Sequence, residues 1–193
     1  MTVTDVEYAI LLARSCDESH PDMERVYRRQ ALKLDTDGAS LQAFVCRYIE
    51  QLPVALRTAN ASAREEHIEN LILPVTQAVE NFFTRECELS QDGGLLALLD
   101  RAYLGHRLLE EMNDHLHLRL GRFILHVDMT EANTVAHQLL GDAYAGELEN
   151  VVAQTLDILM DGLESPPRSS PDSDGVGLHP FQPLQQLRQR QYG

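Results

Sequence analysis

Residues 95–127, LLALLDRAYLGHRLLEEMNDHLHLRLGRFILHV, decide the fold. Leu95, Leu98, Leu99, Ala102, Leu109, Leu116, Leu120 and Ile124 recur at helical rather than alternating spacing, which predicts one long helix from about Leu95 to Val127. At about 100° per residue, His106, Glu110, Asn113 and His117 fall along one edge of that helix and overlap its apolar stripe. A polar group left unpaired inside a core costs roughly 1–3 kcal/mol, so this edge is a local conflict of the kind that marks functional positions.

The flanking sequence reads the same way. Thr4 and Asp5 start a helix through Val6, Ala9, Ile10 and Ala13, and Pro21 opens a second through Met23, Val26, Tyr27 and Leu34. Asp35-Thr36-Asp37-Gly38 is a turn. A third helix carries Leu41, Phe44, Val45, Tyr48 and Leu52, and Pro53 is expected to kink or end it. Ser62-Ala63-Arg64-Glu65 has the form of a capping box, opening a helix with Ile68, Leu71, Ile72, Val75, Val79, Phe82 and Phe83 on its apolar face and a bend at Pro74. Gln91-Asp92-Gly93-Gly94 breaks the chain before the long helix. Downstream, Thr130 caps a helix through Val135, Leu139 and Leu140. A last helix, from about Asp142 to Leu163, turns Leu148, Val151, Val152, Thr155 and Leu159 inward. Gly141 and Gly146 leave open whether these two form one broken helix.

Thirty leucines against eighteen valines and isoleucines agree with this pattern, and the expected fold is an all-α bundle of six or seven helices. The 193 residues divide at Ser165. Residues 1–164 form the bundle; residues 165–193 hold five of the eight prolines, four serines and three glycines, and read as a disordered tail. Within it, Leu184–Arg190 could form a short helical turn on a partner. Charge divides likewise: 13 basic and 28 acidic residues leave the body at −15, while the tail, with 3 and 2, is at +1.

That acidity argues against nucleic acid and anionic lipid, whose phosphates require clustered Lys and Arg. No apolar run approaches the roughly 18 residues of a membrane helix. The first residues, Met1-Thr2-Val3-Thr4-Asp5, lack the basic and apolar regions of a secretory signal. Cys16, Cys46 and Cys87 are widely spaced, form no CxxC pair and read as free thiols, which together with the other features points to the cytoplasm. Fifteen arginines to one lysine hint at a GC-rich bacterial genome. Nucleophile elbows and phosphate-binding glycine loops are missing from the sequence, and carboxylates beside Cys16 and Cys87 would raise their thiol pKa.

Three functions compete for the polar edge. In the first, the chain is a helical-bundle metal-dependent enzyme in which His106, Glu110 and His117 ligate iron, manganese or zinc, with Asp114 nearby, although the Glu-x-x-His pairs of di-metal bundles do not occur in the chain. In the second, the edge, including Asn113 and Asp114, lines a small-ligand pocket. In the third, His106 and His117 flank the core while Glu110 or Glu111 pairs with Arg107. The leading expectation is a non-enzymatic protein without a cofactor that binds another protein, as a regulator, adaptor, chaperone-like factor or immunity protein, through an acidic surface facing a basic partner.

Overall fold

In a computed structural model of the chain, residues 4–19, 22–84, 94–121, 123–125 and 128–164 are described, and every regular element among them is helical. Seven α-helices follow one another: α1 Thr4–Ser19, α2 Met23–Ala31, α3 Gly38–Glu65, α4 Glu69–Thr84, α5 Leu99–Leu120, α6 Thr130–Leu140 and α7 Asp142–Glu164. Short 3-10 turns, Leu32–Leu34 and Leu95–Leu98, precede α3 and α5. The fold is all-α, as the leucine periodicity predicts. The expected tail, 165–193, lies outside the described residues, as do Pro21, Cys87, Gln91, Asp92, Gly93, His126 and Val127. No helix among the described residues is long and apolar enough to cross a membrane.

Two helix ends differ from the sequence expectation. The third helix passes through Pro53 and continues to Glu65, because Leu52, Leu56, Ala59 and Ala63 form one buried stripe at steps of four and three. Ser62-Ala63-Arg64-Glu65 is therefore the last turn of α3 and does not open α4. His67 ends it in the left-handed region at φ 59°. The Ile68 N–H donates to the Ala63 carbonyl at 2.9 Å and the His67 N–H to Arg64 at 3.3 Å, which satisfies the terminal carbonyls as a Schellman motif does.

The fifth helix stops at Leu120 rather than Val127. Gly121 takes a left-handed conformation at φ 67°, and its N–H caps the His117 carbonyl at 2.8 Å. The chain then folds back, with the N–H groups of Ile124 and Leu125 donating to Asn113 Oδ1 at 2.9 and 3.0 Å. Two smaller shifts accompany these: α2 ends at Ala31, with Leu34 in the 3-10 turn that follows, and Thr130 is the first residue of α6, whose N-cap is Met129, rather than its cap. Pro74 sits inside a continuous α4, and Gly141 separates α6 from α7, with Gly146 inside the latter. Asp37 caps α3, accepting the Ser40 N–H at 2.9 Å.

One hydrophobic core draws on all seven helices. The central member is α5, which packs against α3, α4, α6 and α7 and buries eleven residues, among them Leu104, Leu108, Leu109 and Met112. Burial around the first half of α5 is what forces His106 and Glu110 to find partners on neighbouring helices.

Candidate functional site

The polar edge of α5 splits at its first members. His106 is 2% exposed, and its Nε2–H donates to the backbone carbonyl of Tyr48 on α3 at 2.9 Å. The imidazole lies against the Tyr48 ring, with centroids 4.6 Å apart. Burial pushes its pKa down to about 4, outweighing the Tyr48 carbonyl and the Glu110 charge, so the ring is neutral at pH 7. With Nε2 protonated, Nδ1 is left as an acceptor.

Glu110, one turn on, is held by three donors. The Arg107 guanidinium pairs with it, Asn133 Nδ2 donates at 2.8 Å, and Thr130 Oγ1 reaches its other oxygen at 3.4 Å. Asn133 is buried in turn, its Oδ1 accepting the Tyr48 hydroxyl at 2.7 Å. Tyr48, Asn133, Glu110 and Arg107 thus form a continuous polar relay linking α3, α6 and α5. Tyr48→Phe removes the hydroxyl that donates to Asn133 Oδ1 and is expected to cost about 1–3 kcal/mol in urea unfolding; a variant with the native midpoint would contradict the relay.

Two cavities meet at Glu110. One, about 190 Å³, lies between α3 and α5 and is mainly apolar. His106, Leu109 and Leu125 form its buried floor, the exposed Gln51, Val54 and Thr58 its rim, and Ala55, Glu110, Asn113 and Met129 its sides. The other, about 350 Å³, is a polar cleft between α5, α6 and α7. There the Tyr103 hydroxyl donates to Glu149 at 2.7 Å and lies 3.1 Å from His137 Nδ1, and Arg107 also pairs with Glu111 at 2.8 Å. Its charged groups are committed to one another.

No protein family, curated protein sequence or solved structure matches this chain.

The residues singled out in the sequence part company in space. His106, Glu110 and Asn113 converge on the apolar cavity. His117, eleven residues beyond His106, lies about 16 Å further along the helix axis, beyond the span of one metal ion. Its exposed ring stacks on Phe123 at 3.9 Å. Asp114 is exposed and does not line the cavity. Nε2 of His106 and both oxygens of Glu110 already have protein partners. Among the described residues, no group of three or more His, Cys, Asp or Glu side chains is placed to hold a metal. Cys46 is half-buried, and burial together with Glu50 and Asp17 pushes its thiol pKa up, away from nucleophilic use.

Sequence reasoning missed the α3 wall and Asn133. The one signal was Tyr48, whose place in an apolar stripe required a partner for its hydroxyl.

Proposed function

We propose that the protein is a binding protein for a small, largely apolar molecule held between α3 and α5. The observation that carries this reading is the cavity of about 190 Å³, where an apolar lining meets the edge formed by His106, Glu110 and Asn113. An apolar pocket with few convergent polar groups is what small-ligand sites share. The volume falls below the range of roughly 300–1,000 Å³ for drug-sized ligands and is comparable to apolar cavities of about 150 Å³ that take up benzene. The ligand is therefore a single ring or a short branched chain.

Thermal-shift measurements on the full chain with a set of monocyclic compounds test this. A compound at about a hundred times its Kd is expected to add about 2.7 kcal/mol of stability. Ala55→Phe places a ring in the space and is expected to abolish that gain without lowering the variant's own melting temperature. Stabilisation that survives Ala55→Phe would move the binding elsewhere.

A second reading, association with a basic protein, is supported by charge arithmetic. The body's 28 acidic residues exceed its 13 basic ones by 15, so internal pairing cannot neutralise it. Tyr8 and Leu11, one turn apart on α1, add exposed apolar area at 60% and 64%. A purified pair with such a partner is expected to weaken steeply as salt rises. Salt-insensitive association would contradict an electrostatic interface.

A further inference from the structure

We propose that the cavity between α3 and α5 selects a neutral hydrogen-bond donor of the phenol or cyclic-alcohol class, whose hydroxyl donates to Nδ1 of His106. This rests on the small-molecule reading above and adds the chemistry of the ligand's polar end.

The tautomer makes the argument. A backbone carbonyl only accepts, so the 2.9 Å contact between His106 Nε2 and the Tyr48 carbonyl fixes the proton on Nε2. Nδ1 is the ring's remaining polar atom, and it accepts. A ligand hydroxyl or N–H can satisfy it; an ether or ketone oxygen cannot. The ring cannot swap the proton to Nδ1 without breaking its bond to α3.

Charge selects for neutrality. Glu110 is the single ionised group on the lining, and no Lys or Arg accompanies it there. A carboxylate ligand would lose hydration and meet a like charge. An ammonium would compete with Arg107, Asn133 and Thr130, which already occupy the Glu110 oxygens. Asn113 Oδ1 is spent on the N–H groups of Ile124 and Leu125. His106 is thus the acceptor on the floor that retains capacity, and apolar Leu109, Leu125 and Ala55 enclose the rest of the ligand.

Calorimetric titration of the full chain with phenol, toluene, benzoate and benzylamine is the test. Phenol and toluene differ by a hydroxyl for a methyl. A cavity without an acceptor prefers toluene by about tenfold or more, because the buried hydroxyl would be unpaired. Here phenol is expected to bind at least as tightly as toluene, with benzoate and benzylamine weaker than both by about tenfold or more. His106→Phe is expected to restore the toluene preference. The comparison within the native chain decides the matter even if that variant fails to fold. Toluene binding with phenol rejected would overturn the role of His106 while leaving the small-molecule reading intact. Benzylamine binding most tightly would overturn the neutral class in favour of a cation drawn to Glu110. A phenol preference that persists in folded His106→Phe would also overturn it. No binding by any of the four would overturn the small-molecule reading itself.

Discussion

Lowering the pH from about 6.5 to about 4 is expected to cost the fold about 3 kcal/mol through His106 alone. The unfolded chain protonates this imidazole near its ordinary value of 6.5, whereas the folded chain, with the ring buried against Tyr48, resists protonation down to about 4. Between those values the unfolded state holds more protons, so acid drives unfolding; above pH 6.5 the contribution is constant. Other groups modulate the curve at its lower end. Asp17 and Glu80, whose carboxyls burial pushes upward, gain protons more readily when folded and oppose the loss. Asp37 and Asp128 are held low by hydrogen bonds, to Ser40 and Thr130 respectively, and add to it. Urea unfolding at stepped pH measures the slope. His106→Gln, which has no group titrating in this window, is expected to flatten it between pH 6.5 and 4.5. A variant as acid-sensitive as the native chain would show that His106 is not the group responsible.

Gly94→Ala is expected to destabilise the fold by about 3 kcal/mol or more, combining backbone strain with the loss of part-buried hydrogen bonds. Gly94 adopts φ 49° and ψ −149°, a region that residues with a Cβ rarely enter. An added Cβ would also collide with the Asp17 carboxylate. That carboxylate is a clasp: Oδ1 accepts the Leu95 N–H at 3.1 Å and Oδ2 accepts the Tyr27 hydroxyl at 3.0 Å, joining α1, α2 and the entry to α5. Displacing it frees the start of the helix that supplies the cavity floor. Thermal unfolding provides the measurement, and Asp17→Asn, which retains the side chain's size, is expected to show a smaller loss. A native melting temperature for Gly94→Ala would mean that the clasp has no energetic weight.

Much of this architecture is legible in the sequence, and the failures have physical causes. Apolar periodicity locates α1 and α5, the Asp35–Gly38 turn separates α2 from α3, and Gly141 marks the break between the last two helices that the sequence leaves open. The extension of α3 to Glu65 escaped because Ala59 and Ala63 bury little surface each, so the stripe looked finished at Leu52 while Ser62 imitated a cap. The end of α5 is masked in the sequence because Phe123, Ile124 and Leu125 continue its apolar character beyond Gly121, whose left-handed cap, with Asn113 drawing the chain back, makes the break. For the site, the edge containing His106 and Glu110 was visible as a conflict within α5. Its resolution was not, since the partners, the Tyr48 carbonyl and Asn133, lie 58 and 23 residues away in sequence. His117 shows that an edge is not a site: residues on one line of a helix still separate by 1.5 Å per residue.

The most direct test of the account is a methyl NMR titration of the full chain with toluene, an apolar probe matched to the cavity. Saturable shifts are expected at Val54, Ala55, Leu109, Leu125 and Met129, with Val6 and Ile10 on α1, which does not line the cavity, unmoved, and loss of those shifts in Ala55→Phe. Unchanged cavity methyls at saturating toluene would contradict it.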